Sequence, residues 1–266
     1  MSDIVKYQNQ MNELPIFKLS KIEQDLFMAL ISKTSFSDSQ WIETNLYELL
    51  DKVSFSRDSV ISMEEKVDSL IRKIFAPYLS VKTDNDVVRV FVCFDKLEYE
   101  RKTYALKIHI QDDFYQMIKN YELGFTRFEL AEFVSLSGVY TKTLYRFLKQ
   151  YRTQGVWQVS IEDFKKLLNI PDIYRQCNID ARVLKPSLKQ LSQPFKKLKV
   201  EKIKKTGRGA RGRGGVISAL KFTFDAEKIK EVPEEKKTIA SAAPKAAKPA
   251  QIPTAQAVKS PFKAEE

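Results

Sequence analysis

Residues 178–224 read NIDARVLKPSLKQLSQPFKKLKVEKIKKTGRGARGRGGVISALKFTF, a helix pattern running into a basic hairpin pattern. At 100° per residue, Ile179, Val183, Leu184, Leu188 and Leu191 share one half of a helical wheel. Arg182, Lys185, Lys189 and Gln193 cluster on the other half. One side can pack on a core, and the other presents three cations and an amide. Behind the helix come a Lys-studded segment (195–205), an Arg/Gly tip and an alternating apolar segment (216–224), which read as a β-hairpin. Arg pairs its donors with guanine and Gln pairs with adenine, so the cationic face suits base edges in a major groove. Asp180 would point to the apolar side in mid-helix. The helix start is therefore placed at or just after it, with Asn178 or Asp180 as cap. Pro186 lacks an N–H and clashes with a preceding carbonyl, which predicts a kink or a tightened first turn before Lys185.

A helix followed by a basic hairpin is how a winged helix meets a nucleic-acid duplex. The rest of the chain repeats that order of elements. A capping box, Ser20 with Glu23, opens a helix over 21–33 whose stripe is Ile22, Leu26, Phe27 and Leu30. A short strand over 41–43 precedes a helix, Leu46–Lys52, capped by Asn45. A third helix over 58–75 carries Val60, Met63, Val67, Leu70, Ile71 and Ile74. A hairpin follows, Tyr78–Lys82 and 87–94 around the turn 83–86, then a strand over 103–110 and a helix over 113–120. In the second half, Thr126 and Glu129 form a capping-box pattern for a short helix ending near Ser135. A longer helix over 139–152 buries Tyr140, Leu144, Phe147, Leu148 and Tyr151, and Gly155 ends it. A strand over 156–159 and a Ser160-capped helix over 161–168 lead to the basic helix.

The expected fold class is therefore α+β, with two tandem winged-helix domains over 1–122 and 123–225. Residues 226–266 are rich in Ala, Pro and Lys (AAPKAAKPAQIPTAQAV) and are expected to be a disordered tail.

Charge is distributed unevenly. Residues 1–139 hold 17 Lys/Arg and 22 Asp/Glu, a net of −5. Residues 140–224 hold 20 and 5, a net of +15, within a chain of net charge +11. Such a concentration implies a polyanionic partner, and duplex phosphate is the usual one. No stretch approaches 18 consecutive apolar residues, so no membrane span is expected. Two distant cysteines, Cys93 and Cys177, and no visible secretory signal fit a reducing cytoplasm.

Enzyme chemistry finds no foothold in the sequence. His109 is the sole histidine and sits on the polar face of a strand. Cys93, His109 and Cys177 lack compact zinc spacing, so neither metal nor cofactor is expected, and no residue is assigned to catalysis. Gly207, Gly209 and Gly212 match G-x-G-x-x-G, but a strand pattern follows where that motif needs a helix N-terminus. The glycines instead let a cationic tip bend into a groove or along a phosphate ridge.

Three stretches resemble the initiator replication proteins of plasmids, the RepB-type winged-helix family. They are IVKYQNQMNELPIFKLSKIEQDLFMALI (4–31), similar to the family's opening helix, FTRFELAEFVSLSGVYTKTLYRFLKQYRTQG (125–155), and YRQCNIDARVLKPSLKQLSQPFKKLKVEKIKKTGRG (174–209) with LKFTF after it. The resemblance covers roughly 4–225. It implies an initiator that binds directly repeated origin DNA (iterons), opens the duplex and recruits host replication proteins, either a helicase or the chromosomal initiator. It also implies a homodimer formed through the first domain, which often represses its own gene. By position it assigns base reading to Arg182, Lys185 and Lys189, with Gln193 on the same face. Wing contacts fall to Lys202, Lys204, Lys205, Arg208, Arg211 and Arg213. The mixed outer face of the third helix (Asp58, Ser62, Glu65, Ser69, Arg72, Lys73) implies weaker DNA contact in the first domain. A repressor without initiator role, and an RNA-binding protein using the Arg/Gly tip, are the alternatives that the residues leave open.

Overall fold

Strand β1 (Ile4–Gln8) begins the chain and pairs antiparallel with β7 (Phe125–Glu129), so the first residues join the second half. This is a computed structural model, and it describes residues 3–35, 37–53, 78–82, 88–122, 124–204 and 216–228. The expected helix over 58–75, the turn 83–86, the wing tip with Lys205, Arg208, Arg211 and Arg213, and the tail from 229 onward lie outside the described residues.

After β1 come two short 3-10 turns, Asn9–Glu13 and Ile16–Lys18, and then α1 (Lys21–Ser35). The family-like opening segment is thus helical only in its second half. Ser20 caps α1 as expected: the Glu23 carboxylate accepts from the Ser20 amide, and Ser20 Oγ accepts from the Glu23 amide. Ile22 departs from its expected place in the core and is 41% exposed. Instead α1 is buried on nearly every side, including Gln24 and Asp25.

The first half continues with β2 (Trp41–Asn45), α2 (Leu46–Lys52), β3 (Tyr78–Lys82) and β4 (Val88–Val92). Next come β5 (Phe94–Glu100), β6 (Ala105–Ile110) and α3 (Asp112–Lys119). The Asn45 side chain accepts from the Tyr47 amide and caps α2, as its position predicts. Strand β5 was not foreseen. The expected strand over 87–94 stops at Val92, and after a bend at Cys93 a new strand begins at Phe94 beside β6, with a register shift in that pairing between Phe94 and Lys96. The three-stranded sheet runs β2-β6-β5, and β3 and β4 form a separate hairpin.

The second half holds β7, α4 (Leu130–Ser135), α5 (Val139–Gln150), β8 (Val156–Ser160) and α6 (Ile161–Leu167). The Thr126–Glu129 capping box is a correction: these residues are strand β7, and the Thr126 hydroxyl bonds Asn9 and Asn12 instead of a helix end. The competing interaction is the ladder to β1, which only the folded chain supplies. Gly155 takes φ +69°, where a Cβ would meet the Phe224 carbonyl at 2.7 Å, so a glycine is required between α5 and β8. Strands β9 (Lys199–Lys204) and β10 (Ile217–Thr223) complete a sheet ordered β8-β10-β9. The described residues of both halves belong to one compact unit with a continuous apolar core.

Candidate nucleic-acid interface

The basic helix starts earlier than the sequence suggests. It runs without a break through α7 (Gln176–Ile179), a π-helical turn (Asp180–Leu184) and α8 (Lys185–Leu191). Asp180 is thus no cap. Its carboxylate accepts from Gln176 Nε2 at 3.0 Å and from Lys202 Nζ at 2.6 Å. That pairing resolves the objection to an acid in mid-helix, because the partner arrives from β9.

Pro186 does not tighten the turn before Lys185, which was one of its two expected effects. The turn before it widens. The Lys185 amide donates to the Asp180 carbonyl, five residues back. In an α-helix the Pro186 ring would clash with the Arg182 carbonyl and leave it without an N–H partner. One widened turn relieves the clash without breaking the helix.

The apolar side behaves as the wheel predicts. Ile179, Val183, Leu184 and Leu191 are buried, and Leu188 is half-buried. Polar contacts fix the helix to α5 and to the turn before it. Thr141 and Ser187 share a buried hydroxyl–hydroxyl bond of 3.1 Å. Gln190 Oε1 accepts from the Ser137 amide at 2.7 Å, and Gln190 Nε2 donates to the Ser137 carbonyl at 3.2 Å. Sequence reading missed Ser187 and Gln190. Their polarity marks neither as part of a packing face, and only the position of α5 makes them one.

On the opposite side Arg182, Lys185 and Lys189 are all exposed. Gln193 is exposed too, but it lies in the turn after α8 and not on the helix. Arg182 is held: its Nη1 donates to the Tyr174 hydroxyl at 3.2 Å, and its guanidinium lies 5.3 Å from the Tyr174 ring centroid. On β9, Lys202 is tied to Asp180, whereas Lys204 is exposed at the strand end.

Four cations counted in the basic segment do not face solvent in this way. They are Lys142, Arg146, Lys149 and Arg152, on and just after α5, and the first two lie in a seam against the first half of the chain. Lys142 Nζ, fully buried, lies 2.6 Å from Asp25 Oδ1 on α1 and also donates to the Phe133 carbonyl. Burial pushes the Asp25 carboxyl up to about 6 and pulls the Lys142 ammonium down to about 8, against their mutual attraction. Arg146 is also fully buried. Its Nη1 donates to the Met11 carbonyl at 3.4 Å, while Nε and Nη2 have no hydrogen-bond partner, and burial lowers its pKa. Around it, the Tyr7 hydroxyl donates to Asn12 Oδ1, and Asn12 Nδ2 donates to Thr126 Oγ1 and Gln150 Oε1. Lys149 pairs with Glu132 and Glu227, and Arg152 with Glu227.

His109 Nδ1 donates to Asp95 Oδ1 at 2.6 Å, and the ring packs on Trp41. Among the described residues no group of His, Cys, Asp and Glu could hold a metal ion. Likewise, no described helix is long and apolar enough to cross a membrane.

The fold and this face define a class: a tandem winged-helix protein whose second module presents a cationic helix beside a basic β-strand. A family model described as Initiator Replication protein, WH1, matches residues 4–149, and one described as Initiator Rep protein, WH2, matches 160–224. The chain belongs to this family of replication initiators. The "Probable replication protein rep" of Bifidobacterium longum (strain NCC 2705) is 27% identical over 206 residues, covering 76% of this chain and 68% of that protein. The Pi initiator protein, solved in complex with iteron DNA, shares the fold with a TM-score of 0.62 at 14% identity, covering 85% of this chain and 98% of that one.

Proposed function

We propose that this chain is a plasmid replication initiator that binds direct repeats of origin DNA through its second winged helix. Opening of the adjacent duplex and recruitment of host replication proteins follow from that binding. The observation that carries the reading is the two-sided helix: one side is locked to α5 and the turn before it, and Arg182, Lys185 and Lys189 are exposed on the other. The exposed Lys204 continues that cationic surface along β9, and the tip residues Lys205, Arg208, Arg211 and Arg213 extend it in the sequence. The solved complex of the Pi initiator with iteron DNA supports the same partner here. Residues 123–225 are the DNA-binding module in this reading, and residues 1–122 serve dimerisation with auxiliary DNA contact. The protein acts in the cytoplasm by binding alone, without catalysis. The test is binding to directly repeated DNA, sought beside the gene. Arg182→Ala or Lys189→Ala is expected to lower affinity for those repeats by about tenfold or more, while a scrambled duplex is bound as before. Unchanged affinity for the repeats in both variants would remove the base-reading assignment.

A further inference from the structure

We infer that Tyr174 is a positioning residue for Arg182, and that the pair reads a guanine in each repeat. The inference rests on the DNA-binding reading above and adds the base and the device that selects it.

A free Arg on a helix surface samples many rotamers, and ordering it on binding costs free energy. Arg182 is not free. It sits at the centre of the widened turn imposed by Pro186. Tyr174 meets it from the preceding loop with both a hydroxyl acceptor and a ring face. The loop is itself held: the Tyr174 amide donates to the Pro171 carbonyl at 2.9 Å, and the Tyr174 ring packs against the core. So the clamp reaches from the core through a half-buried aromatic to an exposed cation.

The geometry leaves Arg182 able to read. A guanidinium has five N–H donors in a plane. Tyr174 takes one of them, on Nη1, which leaves the Nε/Nη2 edge for a paired contact. Guanine offers O6 and N7 as two adjacent acceptors in the major groove, and this is the base that such an edge matches. An acidic partner would neutralise the guanidinium. A phenol holds it and leaves its charge in place.

The experiment measures binding of the full chain to its repeat. Each guanine of the repeat is replaced in turn by deazaguanine, which lacks the N7 acceptor, and Tyr174→Ala, Tyr174→Phe and Arg182→Ala proteins are compared. The wild type is expected to lose about tenfold at one guanine. Tyr174→Ala should abolish that difference while keeping affinity for scrambled duplex. Tyr174→Phe keeps the ring and should retain part of it. In an Arg182→Ala background, Tyr174→Ala should add nothing. If Tyr174→Ala weakens normal and deaza repeats alike, or adds a loss to Arg182→Ala, Tyr174 merely supports the loop and the inference is overturned. If Arg182→Ala itself leaves repeat binding unchanged, the fault lies with the base-reading assignment and not with the clamp.

Discussion

Helix α5 and the helix formed by α7 and α8 are both rich in Lys and Arg, yet the structure treats their charges in opposite ways. On α5, Lys142 and Arg146 are fully buried against the first half of the chain. On the basic helix, Arg182, Lys185 and Lys189 are exposed. A count of charge along the sequence pools the two groups. The lesson is that net charge over a segment is no measure of the charge available to a partner. Buried cations are cancelled by a carboxylate, as with Asp25, or satisfied by carbonyls, as in part with Arg146. Only exposed cations can exchange their counter-ions for phosphates.

The sharpest way to break this comparison is to remove Lys142. Lys142→Met leaves the Asp25 carboxylate buried and alone, and is expected to destabilise the protein by about 3–5 kcal/mol. Adding Asp25→Leu should restore most of that loss, because a buried apolar pair is about as stable as a buried ion pair. Chemical denaturation of the two single variants and the double variant checks this. Full additivity of the two single losses would mean that the residues do not act as a pair.

Removing an exposed cation should have the opposite profile. Lys189→Ala is expected to leave the melting temperature within about a degree or two, since exposed substitutions change stability by about 0.5 kcal/mol or less. Its effect should appear in repeat binding, read by titration at several salt concentrations. A large drop in melting temperature would place Lys189 with Lys142 and dissolve the contrast.

The pH dependence separates the regions further. Asp25 titrates higher in the folded chain than its usual 3.8, so its stabilising contribution is present below that value and is lost as pH rises through about 6. Lys142 titrates lower than its usual 10.5, so its contribution is present above that value and is lost as pH falls through about 8. Relative to the Asp25→Leu/Lys142→Met double variant, the wild type should therefore be least stable between pH 6 and 8 and gain on either side. A stability difference that stays flat across this range would contradict the assigned shifts.

The smallest effect concerns Lys204, exposed at the end of β9. Lys204→Ala should weaken binding to all duplexes alike and reduce the salt-dependence slope by about one. A sequence-selective loss would move Lys204 from the phosphate-holding group to the base-reading group.

Much of this architecture was legible in the residues. The Asn45 and Ser160 caps and the apolar stripe from Ile179 to Leu191 depend on neighbours within a few positions, and local chemistry decides such features. What was not legible involves partners distant in sequence. Thr126 suggested a cap and became part of a strand because β1 was there to pair with it. Asp180 looked misplaced until Lys202 arrived from β9. Pro186 predicted a disturbance, and the helix stays continuous by widening one turn. Tyr174 carries no signal of its own eight residues before Arg182, since no helical or strand period connects a loop residue to a helix face.

Two tandem α+β winged-helix modules, the second with a two-sided cationic helix, could be read from the residues alone. Those are periodic and local properties, written in the spacing of apolar residues and caps. Tertiary structure alone decided which cations are offered outward. Desolvating a charge is costly, so each Lys or Arg must find either water or a partner, and the choice depends on what the fold brings against it. Asp25 reaches Lys142 and takes it out of solvent, whereas Arg182 meets the Tyr174 phenol and keeps its charge exposed.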